Sequence, residues 1–138
     1  MTTEKKPAVK SHPRVRLLKF GGASCPPCIA MDKAKTLERL KDEFPELTIV
    51  KLDIYNEDGE APEGSDYAKN DALSDTYDVE ALPTLIFERE TSDGPVEFLR
   101  FEGGMSFSAL KKEYEKEREK FADLSEQREA AKSIPWVG

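Results

Sequence analysis

The chain of 138 residues has little that would staple, metallate or anchor it: two cysteines, one histidine and one tryptophan. No run approaches the roughly 18 apolar residues of a membrane span. Met1 to Lys10 also lack the apolar stretch of a secretory signal, so the expected address is cytoplasmic and no membrane partner is expected. Cys25 and Cys28 lie three positions apart, and a disulfide between them closes too short a loop to remove much chain entropy. Their purpose is therefore chemical. A zinc site needs about four ligands, and two thiols with His12 in the N-terminal tail fall short, so no metal is expected. Basic residues are outnumbered, 21 against 28 acids, and no basic stripe crosses the body; a nucleic-acid partner is excluded by the net charge of -7. Internal repeats are absent as well.

What is present fits one domain with tails: a flexible segment 1–13, a folded body 14–124 and an extension 125–138. The acid is unevenly placed. From Asp53 to Glu80 there are ten acidic residues against Lys69 alone, whereas residues 1–20 carry six bases and only Glu4. One edge of the protein should be strongly negative. Val15 to Phe20 reads as a strand buried on both faces and central in its sheet, ended by Gly21-Gly22. Ala30, Ala34, Leu37, Leu40 and Phe44 trace one amphipathic helix closed before Pro45, and Leu47 to Ile54 is a second apolar strand. A strand, helix and strand of these lengths make a parallel βαβ unit. Residues 56–69 read as a solvated acidic insertion, followed by a short helix from Asp71 to Tyr77. Thr84 to Phe87 and Val96 to Phe101, joined by Ser92-Asp93-Gly94-Pro95, form an antiparallel hairpin. After Gly103-Gly104, Phe107, Leu110, Tyr114, Phe121 and Leu124 stripe a long charged helix that Ser106 or Ser108 caps. That stripe is too short for a coiled-coil seam, and a monomer is expected.

Two thiols at i and i+3, after a buried strand and at the mouth of a helix, divide the labour of disulfide exchange. The first, on Cys25, is expected to be exposed where unpaired amides and the helix dipole favour a thiolate. The second, on Cys28, lies a turn inside and can attack a mixed disulfide on Cys25 to release the substrate. Pro26 and Pro27 stiffen the turn and remove two N–H donors from the sulfur's surroundings. With no imidazolium between the cysteines, the dithiol leans toward a reductant.

Over about residues 14–116 the chain resembles the thioredoxin family. The resemblance rests on Leu17 to Cys28, Val50-Lys51-Leu52-Asp53, Tyr77 to Thr84 with Leu82-Pro83-Thr84, and Glu102-Gly103-Gly104. It implies an α/β thioredoxin fold: a central mixed sheet of four to five strands flanked by helices, with a cis-proline, Pro83, before the third core strand. It further implies that the Leu82 backbone pairs with extended substrate and that Leu82, Pro83 and Gly103 line the groove beside Ser24, Pro26 and Pro27. The cofactor is none beyond the redox-active Cys25–Cys28 disulfide. Expected partners are protein disulfide substrates and a reductase or other dithiol donor.

Two departures stand out. Ser24 occupies the place of the family's usual tryptophan, and Lys19 the place of its buried carboxylate below the second cysteine. Lys51 matches the family's lysine, so two amines are expected near Cys28. Lys19 is then a candidate proton acceptor for Cys28, or else it snorkels to the rim or pairs with Asp53. Two other functions compete with the protein disulfide reductase. One is a glutathione-dependent, glutaredoxin-like reductase, suggested by Pro26 and Gly103-Gly104. The other is a docking module whose acidic loop and C-terminal tail bind a protein while redox activity is incidental.

Overall fold

Residues 15–21 alternate between two largely apolar sets, so the segment must be covered on both sides. In the computed structural model, which describes residues 14–131 and side chains up to residue 120, it is strand β1 (Val15–Gly21). Helices α1 (Pro26–Lys33) and α2 (Thr36–Glu43) lead to β2 (Leu47–Asp53). Then come α3 (Asp66–Thr76), β3 (Thr84–Thr91), β4 (Gly94–Glu102) and α4 (Phe107–Ala131). The four strands lie in the order β2-β1-β3-β4. β1 runs parallel to β2 and antiparallel to β3, and β4 closes the hairpin at the edge. The expected mixed sheet and the central place of β1 are both present.

Each sheet face carries its own cluster. Leu17, Leu85 and Phe87 point to one side, where α1, α2 and α4 bring Met31, Leu37, Leu40, Leu110 and Tyr114 over them. Leu18, Phe20 and Ile86 point to the other and pack with Val50, Leu52, Tyr77 and Leu82. The first cluster is much the larger.

Four expected boundaries are corrected. The single helix from Ala30 to Phe44 is two helices, broken where Lys35 takes a left-handed conformation (φ 56°). Asn or Gly usually marks such a break, and Lys gives no signal. The acidic insertion stops at Ser65 rather than 69, because the Ser65 hydroxyl accepts from the Ala68 N–H (3.2 Å) and starts α3 five residues before Asp71. The hairpin turn is shorter than four residues: Thr91 pairs with Gly94, leaving Ser92 and Asp93 as the loop. Pro95 is tolerated inside β4 because this is an edge strand. Helix α4 runs through residue 124 to Ala131, and Ser106 caps it by accepting from the Ala109 N–H (3.2 Å). The expected tail 1–13, with His12, and Trp136 lie outside the described residues, as does residue 132 onward of the expected extension.

Candidate redox site

Pro26 and Pro27 occupy the first positions of α1, where a missing N–H removes nothing the helix would have used. Cys25 therefore becomes the N-cap residue. Its backbone is extended (φ -83°, ψ 115°), and its sulfur accepts from the Cys28 N–H at 3.3 Å, as a serine hydroxyl would at this position. The two cysteines are joined as a disulfide, with Cα atoms 5.2 Å apart. The first sulfur is not exposed as expected: Cys25 is 5% accessible and Cys28 1%, because the cap and the disulfide both draw the Cys25 sulfur inward. Ser24, Pro26 and Pro27 form the exposed surface of the turn.

The loop before the helix is fixed by backbone contacts and by two glycines. The Ile54 N–H donates to the Gly21 carbonyl (2.8 Å) and the Ala23 N–H to the Tyr55 carbonyl (3.0 Å). A Cβ on Gly22 would fall inside the Tyr55 ring, and one on Gly21 would lie 3.2 Å from the Cys28 sulfur. Gly21-Gly22 thus does more than end a strand; it lets Cys28 and Tyr55 close onto the sheet.

Behind the disulfide lies a ladder of charges. Parallel register sets Lys19 beside Lys51 and Gly21 beside Asp53. Cys28 sits over the glycine rung, and Asp32, one helical turn on, meets the lysine rung. Lys19 is 2% exposed, and its ammonium donates to the Cys28 carbonyl (3.2 Å) and to Asp32 Oδ1 (2.8 Å). It neither reaches the rim nor pairs with Asp53. Lys51 donates to Glu38 Oε2 (2.6 Å) and lies 3.2 Å from Asp32 Oδ1, so it meets the site through carboxylates rather than at Cys28. Burial works against the Asp32 charge, yet the hydrogen bonds and charges of Lys19 and Lys51 outweigh it and hold that carboxyl below its ordinary pKa. For Lys51 burial is likewise outweighed, by Glu38 and Asp32, and its pKa is raised. Asp32 was not singled out from sequence; its place four residues after Cys28, on the same helix face, was the available signal.

On the other side of the turn, the Leu82–Pro83 bond is cis and Pro83 is buried. The Gly103 N–H donates to the Pro83 carbonyl (2.7 Å), with Gly103 at φ 96°. A Cβ on Gly104 would lie 3.7 Å from Pro27 Cβ, so the segment after β4 closes against the Cys25–Cys28 turn. The Leu82 side chain packs against the smaller cluster, and among the described residues nothing hydrogen-bonds to its backbone. Beside Pro27 and Gly104 an open cleft of about 360 Å³ is floored by Met31, Met105 and Phe107.

No family model and no curated protein sequence matches the chain. Solved structures do. Thioredoxin-2 of the malaria parasite, described as a component of its protein secretion machinery, superposes with a TM-score of 0.57 at 19% identity, covering 75% of this chain and 84% of its own. Thioredoxin O2 of Arabidopsis thaliana in its oxidised state gives 0.55 at 23% identity, over 80% and 84%. The germline thioredoxin Deadhead of Drosophila melanogaster gives 0.53 at 20%, over 79% and 84%. The chain has the thioredoxin fold. Among the described residues no helix is long and apolar enough to cross a membrane.

Proposed function

We propose that this protein is a thiol–disulfide oxidoreductase working as a protein disulfide reductase. The observation that carries the reading is the placement of Cys25 as the N-cap of α1, disulfide-bonded to Cys28. In the reduced state a Cys25 thiolate keeps the Cys28 N–H as donor and gains the positive end of the helix dipole. It attacks one sulfur of a substrate disulfide, forming a mixed disulfide and expelling the other substrate sulfur as a thiolate that takes up a proton. The Cys28 thiolate then attacks the Cys25 sulfur, forming the internal disulfide and releasing the second substrate thiolate. The electron pair of the protein dithiol ends on the substrate, and the redox group is the cysteine pair itself.

An extended substrate pairs with the unoccupied Leu82 backbone and rests between Ser24-Cys25-Pro26-Pro27 and Pro83 with Gly103. Lys19 acts as a fixed positive charge behind Cys28 and favours its thiolate; Lys51 supports it through Asp32. A reductase or another dithiol recharges the protein, which acts as a monomer in a reducing compartment, the cytoplasm by default.

Two variants test this reading. Cys25→Ser should reduce insulin no faster than the uncatalysed background, and Cys28→Ser should retain protein partners as mixed disulfides that a reductant releases. Undiminished insulin reduction by Cys25→Ser would refute it. Recharging by glutathione but not by thioredoxin reductase would move the assignment to a glutathione-dependent reductase.

A further inference from the structure

Lys19 stands where a carboxylate was expected, and its amine spends its contacts as a donor to the Cys28 carbonyl and to Asp32. The resolving thiol nevertheless has to lose a proton to attack. A carboxylate does face it, from the neighbouring strand. Gly21 of β1 pairs with Asp53, the last residue of β2. The point where a Cβ of residue 21 would lie is 3.2 Å from Cys28 Sγ and 3.5 Å from Asp53 Oδ1. With no side chain on Gly21, the sulfur and a carboxylate oxygen both close onto the same side of its Cα. Among the described residues no hydrogen bond or ion pair engages the Asp53 carboxylate. Its strand end is held by Asn70 Nδ2, which donates to the Asp53 carbonyl (2.9 Å), and by the Ile54 N–H on Gly21.

We propose that Asp53 is the proton acceptor for Cys28, reached through one water that bridges the sulfur and the carboxylate beside Gly21; this rests on the disulfide-exchange reading above. The Cys28 thiol gives its proton through the water to the Asp53 carboxylate. The resulting thiolate attacks Cys25 Sγ of the mixed disulfide, the Cys25–Cys28 bond forms, and the substrate thiolate leaves and recovers a proton from solvent. Asp53 is half-exposed and returns its proton to bulk water for the next turnover. The charged or titratable groups on the elements around the pair include Lys19 on β1, Lys51 on β2, Asp32 on α1, Glu38 on α2, Tyr55 after β2, and Asp66, Lys69 and Asp71 on α3, whose Asn70 holds the Asp53 carbonyl. The Lys19 and Lys51 amines are engaged by Asp32, and Lys51 also by Glu38, one rung away from the sulfur. Asp53 is the carboxylate beside the thiol.

The test separates a proton acceptor from a mere neighbouring charge. Single-turnover reduction of a disulfide substrate by prereduced protein is followed against pH for the parent, Asp53→Asn, Asp53→Glu and Lys19→Met. In a Cys25→Ser background the Cys28 thiol is titrated by its thiolate absorbance with and without Asp53→Asn. The expected result is opposed movement. Removing a nearby negative charge makes the Cys28 thiol titrate at lower pH, yet resolution at neutral pH slows by about 10²-fold. Asp53→Glu keeps most of the rate, and Lys19→Met, which removes a positive charge behind Cys28, moves the profile to higher pH but keeps its shape. An Asp53→Asn profile superimposable on the parent's, or faster resolution from a more acidic thiol, would overturn the proposal, as would loss of the profile in Lys19→Met alone. Failure of the parent to turn over insulin would instead remove the disulfide-exchange reading, and this proposal with it.

Discussion

Lys19 is the residue whose chemistry depends most on a neighbour. An ammonium that is 2% exposed is tolerated because Asp32 and the Cys28 carbonyl accept from it. Removing the acceptor and removing the charge are therefore unequal experiments. Asp32→Asn leaves a buried ammonium facing Lys51 across the rung, and should cost about 2 kcal/mol; the half-exposed position of Asp32 lets solvent screen part of the loss. Lys19→Met removes the buried charge together with its need for a partner, and should cost no more than about 1 kcal/mol. Urea midpoints at neutral pH give the comparison, and a larger loss for Lys19→Met would contradict it. The Asp32 carboxyl is held below its ordinary pKa, so its stabilisation is present above the unfolded-state value and is lost as pH falls through the folded one. The gap between parent and Asp32→Asn should close in acid.

The elements show the same dependence on partners. Helix α4 is docked by Tyr114, set edge-on to Phe44 (5.0 Å between centroids) and stacked on Phe87 (5.1 Å), with its hydroxyl donating to Glu46 Oε2 (2.7 Å). Arg118 donates to both oxygens of the same carboxylate, which is 8% exposed. Burial alone would raise the Glu46 pKa, but Arg118 and Tyr114 outweigh it and lower it. Glu46→Gln should cost about 3 kcal/mol at neutral pH. Because the folded pKa is depressed, the parent's advantage should vanish as pH falls through it, and urea unfolding of both proteins across the acid range checks the sign. From sequence, the apolar stripe gave the helix and its inner face, whereas Glu46 as its anchor depended on an element 68 positions away. Cys25, Cys28 and Pro83 were legible because their meaning is local: a spacing, a helix start, an X-Pro bond. The α1–α2 break was not, since Ala30 to Phe44 keep one apolar face across it. The partner of Lys19 was not legible either, because register and helix placement decide it.

On the scale of the molecule, the two faces of the sheet are unequally covered, and this bears on where the protein opens. The larger cluster joins α1, α2 and α4 to the sheet through eleven buried residues; the opposite face buries Leu18, Phe20 and Ile86 with Val50, Leu52, Tyr77 and Leu82 against them. Helix α3 contributes one buried residue, Ser74, and carries Asp66, Asp71 and Asp75 with Lys69 as its single base. It is tied down by polar contacts: Asn70 to the Asp53 carbonyl, and, just beyond its end, Tyr77 to Glu88 (2.5 Å) and Arg100 to the Tyr77 carbonyl (2.8 Å). Few apolar contacts and mutual repulsion among its acids should make α3 locally less stable than β1 and β3. Native-state hydrogen exchange should find its amides opening at lower free energy than those of β1 and β3. Added salt should raise α3 protection selectively, because screening relieves its repulsion while leaving apolar burial on the other face little changed. Equal protection across α3 and β1 would contradict this. The opening has a chemical corollary, since Asn70 holds the strand end that bears Asp53. Salt that quiets α3 should therefore also steady Asp53, coupling the acidic helix α3 to the Cys25–Cys28 turn through one side-chain hydrogen bond.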